Sequence, residues 1–447
     1  MVFTYIRLKN FLSFGEVTFN FKKNANSIKQ FVAIYGENGS GKSNFVRSVD
    51  LLCKSLISFD KATKAEEINN IVKNHGDVSK ILQRLMQHDD MQNYLDSCRM
   101  VDCNDPTEIE YGFLLNGYEG KYNIQFSEKF INESLYYFKE KQRGYLFQIS
   151  SDNDGKISYK FWPGLFLSGD EDKEVKEDII KYWGKHTFLS IIIHKMNGRN
   201  SIYNQQTISK NLLDVINLFF STTVIMNNSH DLTTGLISTK PCNMVKDLPS
   251  GKIPRNQLPQ LQCSERILKD FFTQTYADIK DIYYKIEPID NDTIQYQLYV
   301  DKMIAGKIRH ISFENESAGT QQILDIVRML LGLFCGITVV FDEIDTGIHD
   351  VLLTNIISSL KDEISGQLII TTHNTMLLEE IDTENAYVIQ VDYLGNKNIQ
   401  CLDEFPIQNT NNARKQYLKG LFGGTPYIDG IDYTAIAEEI ESVKEDN

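Results

Sequence analysis

The strongest constraint on the fold is a glycine-rich loop that directly follows a short apolar run. Residues 31–35 read FVAIY, and residues 36–43 read GENGSGKS. The apolar run predicts a buried strand. After the loop, apolar side chains recur at the spacing of a helix that packs on a sheet: Phe45, Val49, Leu52 and Leu56. A strand, a glycine-rich loop and a helix in this order predict a P-loop NTPase of the α/β class.

The residue types of this loop suit phosphate binding. Glycines allow backbone N–H groups to converge on an anion, and the helix that follows adds the positive end of its dipole. Lys42 is expected to neutralise β- and γ-phosphate oxygens, and the Ser43 hydroxyl to coordinate Mg²⁺. ATP and Mg²⁺ are therefore the expected cofactors. The predicted nucleotide contacts in the loop are Asn38, Gly39, Ser40, Gly41, Lys42, Ser43 and Asn44.

A second group of polar residues follows two apolar runs near the other end of the chain. Residues 338–341 read TVVF and are followed by Asp342 and Glu343. Carboxylates at the carboxyl end of a buried strand lie where doubly wound sheets bind ligands. Asp342 is expected to hold Mg²⁺ through water, and Glu343 to act as the general base for the attacking water. His373, just past the predicted strand 367–371, is expected to sense the γ-phosphate.

A small-residue loop precedes a helix that is apolar on most sides. Residues 316–321 read ESAGTQ, and Ser317 lies 25 positions before Asp342. A loop of this kind at a helix start offers a hydroxyl, close backbone approach and a favourable dipole to an anion. The same residues are also compatible with an ordinary helix cap, although Ser317 and Gln321 do not form a good capping box.

In this order, GENGSGKS, ESAGTQ, TVVFDEID and TTH resemble the ABC-type ATPase heads of the SMC, RecF and OLD proteins. The resemblance implies a homodimer in which Ser317 and Gly319 contact the γ-phosphate bound to the second subunit. Residues 345–350 take the place of that family's D-loop, but they depart from its common form at His349. The family's Q-loop glutamine has three weak candidates: Gln125, Gln142 and Gln148.

A narrower resemblance extends over much of the chain. It rests on the opening IRLKNFLSFGE, the motifs above, and RKQYLKGLFGGTP at 414–426. These segments look like bacterial abortive-infection ATPases, including AbiL-type proteins and the ATPase subunits of the Septu and PARIS phage-defence systems. The resemblance implies control of a separate effector protein, such as a nuclease. The chain itself shows no cluster of Asp, Glu and His outside the ATPase motifs that would form an effector site.

The predicted organisation has three parts. Residues 1–165 form the first half of the ATPase head, with the P-loop and an antiparallel β subdomain at about 108–161. Residues 166–281 form a helical insert with a polar, proline-containing segment at 238–259. Residues 282–447 form the second half of the head. No sustained heptads occur, so long SMC-type coiled-coil arms are not expected.

Composition limits the other classes. The formal charge of −14 and the pI of about 5.1 argue against a protein whose whole surface grips nucleic acid, although a local basic groove stays open. Seven scattered cysteines without a CxxC pair argue against a disulfide framework or a zinc site. No secretion signal is evident, and the longest mostly apolar run, 329–341, is too short to span a bilayer. A cytoplasmic protein with no membrane contact is expected.

Three functions fit the sequence. The leading one is an ATP hydrolase whose nucleotide-gated dimer controls an effector in phage defence. The second is a RecF-like ATPase in DNA repair or recombination. The third is a nucleotide-dependent scaffold that hydrolyses almost no ATP.

Overall fold

The structure of the protein is a computed structural model that describes residues 2–24, 27–73, 91–226, 244–245, 247–406, 412–425, 430 and 432–437, with the backbone alone at 68–73. The strands, in chain order, are β1 (Val2–Phe11), β2 (Phe14–Asn20), β3 (Lys22–Asn24), β4 (Ser27–Ile28), β5 (Phe31–Tyr35), β6 (Thr107–Leu115), β7 (Tyr118–Phe126), β8 (Phe130–Phe138), β9 (Arg143–Ser151), β10 (Ile157–Phe161), β11 (Thr222–Ile225), β12 (Ser250–Pro254), β13 (Ile279–Pro288), β14 (Thr293–Ile304), β15 (Lys307–Ser312), β16 (Thr338–Phe341), β17 (Gln367–Thr371), β18 (Ala386–Val391) and β19 (Lys397–Cys401).

The α-helices are α1 (Lys42–Lys73), α2 (Met91–Cys98), α3 (Gly169–Tyr182), α4 (Phe188–Asn197), α5 (Ser201–Thr207), α6 (Lys210–Phe220), α7 (Leu258–Thr275), α8 (Ala318–Phe334), α9 (Asp350–Leu360) and α10 (Ala413–Leu418). Short 3-10 helices occur at Arg255–Gln257, Phe313–Asn315, Thr375–Glu379, Thr383–Asn385 and Leu402–Glu404. In the part of the chain that the structure describes, no helix combines the length and apolar character needed to cross a membrane.

A mainly parallel six-stranded sheet forms the centre of the fold, in the order β11-β16-β17-β5-β18-β19. All neighbours in it are parallel except β18 and β19, which form an antiparallel hairpin. Strand β17 lies between β5 and β16. The loops that follow these three strands therefore open at the same edge of the sheet, where doubly wound sheets bind ligands.

Both faces of this sheet are covered, which explains why β5, one of its inner strands, is apolar along its whole length. Along β5, Val32 and Ile34 point into one core, and Phe31, Ala33 and Tyr35 point into the other. The first core packs the sheet against α1, α4 and α6 and against a second sheet; the other packs it against α7, α8 and α9. This alternation follows from the two-residue period of a strand.

The second sheet has seven strands, in the order β10-β9-β8-β7-β6-β1-β2, and every pairing in it is antiparallel. A buried glutamine joins the two sheets. The Gln367 Oε1 accepts the Phe3 backbone N–H at 2.8 Å, and its Nε2 donates to the carbonyls of Phe3 and Lys29, both at 3.0 Å. All polar atoms of this side chain are thus bonded inside the core, as a buried amide requires.

The segment 166–281, expected from the sequence to be a helical insert, contains α3 to α7 but also two strands. Strand β11 pairs in parallel with β16 and so belongs to the central sheet, and β12 pairs with β14. The segment therefore contributes strands to two sheets of the head. Part of the polar segment 238–259 lies outside the described residues, as do residues 74–90 of a stretch expected to be polar and helical.

A buried carboxylate connects the seven-stranded sheet to the helical region. Glu133 on β8 accepts hydrogen bonds from the Tyr122 hydroxyl at 2.9 Å, the Trp183 indole at 2.8 Å, and the backbone N–H groups of Phe188 and Leu189 at 2.6 and 3.3 Å. Burial raises the pKa of Glu133 to about 7, and these donors oppose the rise. The carboxylate also lies at the N-terminus of α4, where negative charge is favoured.

Replacing Glu133 with alanine is expected to lower the free energy of unfolding by about 3 kcal/mol or more, because four buried donors lose their acceptor. The folded-state pKa of about 7 lies above the ordinary value of 4.5. The proton-linked stability is therefore present below about pH 4.5 and is lost as the pH rises through 7. Urea unfolding at several pH values measures both effects. Glu133→Gln, which mimics the protonated acid, is expected to remove this pH dependence; an unchanged slope would contradict the assignment.

Candidate nucleotide-binding site

The phosphate loop lies between the end of β5 and the start of α1 and takes backbone angles that favour glycine. Gly39 has a φ of 80° and Gly41 a φ of 110°. A Cβ atom at Gly41 would come within 2.7 Å of the Phe14 ring. Side chains are thus disfavoured at both positions, and the backbone is left open to a ligand.

The Lys42 side chain folds back over the loop. Its Nζ donates to the carbonyl oxygens of Gly36 at 2.8 Å and Glu37 at 3.1 Å. Burial lowers the pKa of Lys42, and the carboxylates of Glu343 and Asp342 oppose this shift. The ammonium group is therefore held between the loop and the carboxylates predicted for catalysis, where it can meet phosphate oxygens.

Ser43 and Asp342, the two residues predicted to hold the metal, are in contact. The Ser43 hydroxyl donates to Asp342 Oδ1 at 3.2 Å across a separation of 299 residues, and the Thr371 hydroxyl donates to the same oxygen at 2.8 Å. Burial raises the pKa of Asp342; the neighbouring Glu343 adds to the rise, and both hydroxyls oppose it. The contact follows from the strand order, since β17 carries Thr371 between β16 and β5.

Glu343 has a strained backbone. Its φ of 49° lies in the left-handed region, which is uncommon for residues other than glycine. Its N–H donates to the Thr371 hydroxyl at 2.7 Å, which holds the turn that follows Asp342. Strain of this kind persists only where surrounding contacts fix it, and it is concentrated at functional sites.

His373 lies within the electrostatic influence of Lys42, Asp345 and Glu343. Partial burial and the charge of Lys42 lower the pKa of His373, and Asp345 and Glu343 raise it. Its imidazole is thus biased toward the neutral form at pH 7. The His373 backbone N–H donates to Asp345 Oδ2 at 3.0 Å, which joins the loop after β17 to the loop after β16.

Ser317 caps helix α8 and is exposed. Its Oγ accepts the Thr320 N–H at 3.2 Å, so Ser317 is the N-cap of α8, as the helix-cap interpretation predicts. The preceding Glu316 is buried and forms an ion pair with Lys302 on β14 at 2.8 Å. This ion pair anchors the loop next to the exposed Ser317.

The segment at the D-loop position packs against the start of α8. A Cβ atom at Gly319 would lie 2.9 Å from the Gly347 carbonyl oxygen, so this approach requires glycine. His349, which departs from the family's common form, caps α9 by accepting the Val351 N–H at 3.3 Å. The contact of Gly319 with Gly347 joins the predicted signature to the loop that follows Glu343.

The residues present fit a magnesium nucleotide. Ser40 Oγ is buried in the phosphate loop and has no hydrogen-bond partner within the described ranges. A buried polar atom of this kind indicates an expected partner that is not part of the protein. Hydroxyl and carboxylate oxygens meet at Ser43 and Asp342, and these are ligands that Mg²⁺ prefers.

Two residues that contact the phosphate loop and Asn44 were not predicted from the sequence: Lys397 and Ser13. Lys397, the first residue of β19, donates from Nζ to the Gly39 carbonyl at 2.7 Å and to Ser13 Oγ at 2.6 Å. Asn44 Nδ2 donates to the same Ser13 oxygen at 2.6 Å. Strand β19 follows the last of the four ATPase motifs, and no local pattern marks Lys397. Only its pairing next to β18 brings it to the loop.

The three candidates for the Q-loop glutamine lie on strands of the seven-stranded sheet or in a turn beside one. Gln125 is on β7 and accepts a hydrogen bond from Asn132 at 3.4 Å. Gln142 lies in the turn before β9, where its carbonyl accepts the Lys139 N–H, and Gln148 is on β9. These contacts assign none of them to the nucleotide, so the position stays open.

One known family has a model that matches a part of the chain that includes half of the site. Residues 250–379 match the family described as "AAA domain, putative AbiEii toxin, Type IV TA system". The match includes Ser317, Asp342, Glu343 and His373 and begins well after the phosphate loop. Comparison with curated proteins gave no match.

Solved structures that resemble the chain include three SMC heads. The SMC head domain from Thermotoga maritima has 13% identity and a TM-score of 0.40, covering 90% of this chain and 99% of that one. An SmcHead bound to the C-winged helix domain of ScpA has 14% identity and a TM-score of 0.43, with the same coverage. A Pyrococcus furiosus Smc head with an extended coiled coil, bound to the C-terminal domain of ScpA, has 13% identity and a TM-score of 0.38, covering 94% and 99%.

At these TM-scores the fold is assigned from the strand order and the phosphate loop. The chain has an α/β P-loop NTPase fold, with the phosphate loop between β5 and α1 at the edge of a mainly parallel sheet. The predicted fold class, with its antiparallel β subdomain and helical region, is confirmed.

Proposed function

We propose that this chain hydrolyses ATP in a homodimer that closes around two Mg-ATP molecules, and that this cycle controls a separate effector in phage defence. The observation that carries the proposal is the contact between Ser43 and Asp342, with Lys42 beside them. It joins the two motifs of an ATPase site at the edge of the sheet where nucleotides bind.

The roles of the residues follow from their positions. Backbone N–H groups of the loop and the start of α1 bind phosphate oxygens, and Lys42 leaves its two carbonyl partners to neutralise the β- and γ-phosphates. Ser43, and through water Asp342, would hold a Mg²⁺ ion, which would neutralise further charge on the triphosphate. Thr371 keeps Asp342 oriented by its hydrogen bond.

Glu343 is assigned as the general base. It takes a proton from water as the water oxygen bonds to the γ-phosphorus and the bond from that phosphorus to the β–γ bridging oxygen breaks, giving ADP and phosphate. His373 lies near Glu343 and Lys42 and, in its neutral form, hydrogen-bonds the γ-phosphate. Its link to Asp345 relays loss of that phosphate to the D-loop segment.

The dimer completes the site. Ser317 is exposed at the positive N-terminal end of α8, where its hydroxyl bonds to Thr320, and the preceding Glu316 is buried in an ion pair. In a two-fold arrangement, Ser317 and Gly319 of each copy contact the γ-phosphate held by the other copy's Lys42. ATP bound between the two copies then holds the dimer together, and hydrolysis allows the copies to separate.

The defence role rests on two supports. One is the similarity to abortive-infection ATPases carried by GENGSGKS, ESAGTQ, FDEID and RKQYLKGLFGGTP. The other is the matched family, whose description refers to a toxin of a toxin–antitoxin system. The proposed division of the chain at 165 and 281 places all catalytic residues in the outer parts, which leaves the middle part as a surface for the effector.

The proposal is tested first by nucleotide binding and turnover. The purified chain is expected to bind ATP with Mg²⁺, to release phosphate and to dimerise with ATP, as measured by calorimetry, phosphate release and light scattering. Lys42→Ala is expected to lose about tenfold or more in ATP affinity, because the buried ammonium no longer meets the phosphates. The exposed Lys9→Ala serves as the matched control and should behave as wild type.

The defence role has a separate test. Cells that carry the gene with its chromosomal neighbours are expected to reduce phage plating, and Glu343→Gln is expected to change that protection. Equal plating with and without the genes, for a panel of phages, would contradict the role. ATP-dependent DNA binding that weakens steeply with salt would instead support the RecF-like alternative.

A further inference from the structure

The segment 412–425, here called the C-terminal strap, crosses the outer side of the phosphate loop. It contains most of the RKQYLKGLFGGTP motif, to which the ATPase chemistry assigns no role. Helix α10 begins the strap, and the chain then turns through Gly420, Gly423 and Gly424, which have φ values of 74°, 67° and 68°. These left-handed angles favour glycine and let the strap fold back onto the sheet.

The first part of the strap is tied to the loop after His373. Arg414 Nε donates to the Thr375 hydroxyl at 3.2 Å, and Asn412 Nδ2 donates to Glu379 at 2.9 Å. Thr375 and Glu379 are the ends of the 3-10 helix that follows His373. Movement of that helix is therefore transmitted to the strap.

The middle of the strap contacts the end of β5. Tyr417 is buried, and its ring packs edge-on against Tyr35 with 5.6 Å between centroids. Tyr35 is the residue before Gly36, and its hydroxyl donates to the Asn374 carbonyl at 3.2 Å. The two tyrosines thus join the start of the phosphate loop to the residue after His373.

The last part of the strap reaches the phosphate loop itself. The Tyr417 hydroxyl donates to the Gly424 carbonyl at 3.0 Å. A Cβ atom at Gly424 would lie 3.4 Å from the Gly36 Cα, 3.2 Å from the Ile389 carbonyl and 2.5 Å from Val388 Cγ1. The backbones of Gly424 and Gly36 are therefore packed together with no room for a side chain.

Electrostatics supports the same contact. Burial and the nearby Glu37 carboxylate raise the pKa of Tyr417 to about 12, and a backbone hydrogen bond from Gly36 opposes the rise. The Gly36 carbonyl is also the acceptor for Lys42 at 2.8 Å. Lys42 and the strap therefore both contact Gly36, the first residue of the phosphate loop.

We propose that Tyr417 is a positioning residue for the phosphate loop, and that the C-terminal strap fixes Gly36 and links it to the loop that carries His373. This inference deepens the proposed function, since a fixed Gly36 sets the direction of the loop N–H groups and of Lys42. The RKQYLKGLFGGTP motif then contributes to nucleotide binding, although none of its residues is assigned a contact with phosphate.

Tyr417→Phe tests this, because it keeps the ring against Tyr35 and removes the hydroxyl that donates to the carbonyl of Gly424, the residue whose backbone packs on Gly36. In the nucleotide-free protein, amide hydrogen exchange across residues 36–42 is expected to become faster. The KM for ATP is expected to rise about fivefold to tenfold, as for one lost hydrogen bond, with kcat within about twofold. Tyr393→Phe, at a tyrosine that is 94% exposed, is the matched control.

Gly424→Ala provides a second variant, since its Cβ would push the strap away from Gly36; it is expected to change the exchange in the same direction. Wild-type exchange rates at 36–42 in both variants would overturn the inference, as would an increase spread evenly over the whole chain. The exchange measurement needs no nucleotide, so it tests the positioning role of Tyr417 independently of ATP binding. If wild type binds no ATP but the exchange changes as expected, the proposed function fails and the positioning role stands.

Discussion

Glu343→Gln is expected to lower kcat for ATP hydrolysis by about 100-fold or more while leaving ATP affinity within about twofold of wild type. The amide keeps the shape of the side chain but cannot accept the proton of the attacking water. The backbone contact of Glu343 to Thr371 does not involve the side chain and should be preserved. Because ATP is bound but not consumed, the ATP-dependent dimer should persist; single-turnover kinetics and light scattering measure the two effects.

A matched substitution separates the role of Glu343 from a general loss of charge. Glu363→Gln removes the same charge at an exposed turn after α9 and is expected to leave kcat unchanged. An unchanged rate in Glu343→Gln would mean that another group activates the water. Loss of ATP binding in that variant would show instead that the strained turn had collapsed.

Mixing two inactive variants is expected to restore ATPase activity if the sites are shared between copies. Lys42→Ala removes the ammonium group that binds phosphate, and Ser317→Arg blocks the exposed start of α8. A dimer with one chain of each kind has one site with both defects and one with none. An equal mixture should therefore show about a quarter of the wild-type rate, since half of the dimers are mixed and each has one intact site.

The double variant, with both substitutions in one chain, supplies the control. In a dimer of one wild-type and one double-variant chain, each site contains one of the two substitutions, so both sites are defective. Adding the double variant to wild type should therefore add no activity. Failure of the two single variants to complement, although each folds and dimerises, would show that Ser317 acts within its own chain or not at all. Turnover by a monomeric wild-type chain would contradict the shared site directly.

Local patterns predicted the elements around the phosphate loop well. Strands β5 at 31–35 and β17 at 367–371 have the predicted bounds, because continuous apolar runs bounded by polar turns leave few alternatives. The ATPase motifs were recognisable for a related reason. Phosphate and magnesium require particular residue types at short, fixed spacings, so the residues of each motif lie next to one another in the sequence.

Longer-range features were not predicted. Strand β11 has four residues inside a mainly helical segment, and only its pairing with β16 makes it part of the central sheet. Lys397 and Tyr417 lie in segments without any phosphate-binding pattern, and they reach the loop because β18 pairs next to β5 and the strap folds back at its glycines. Such contacts depend on the topology of strands far apart in the chain.

The sequence by itself determined the chemistry of this protein: a phosphate loop, two carboxylates after a buried strand, and a serine at the start of an apolar helix. Only the tertiary structure decided that Ser43 and Asp342 meet, that Thr371 orients the carboxylate, and that Ser317 is exposed. The physical reason is that residue type and spacing fix local hydrogen bonding and charge. The order of strands in a sheet instead decides which distant loops share an edge.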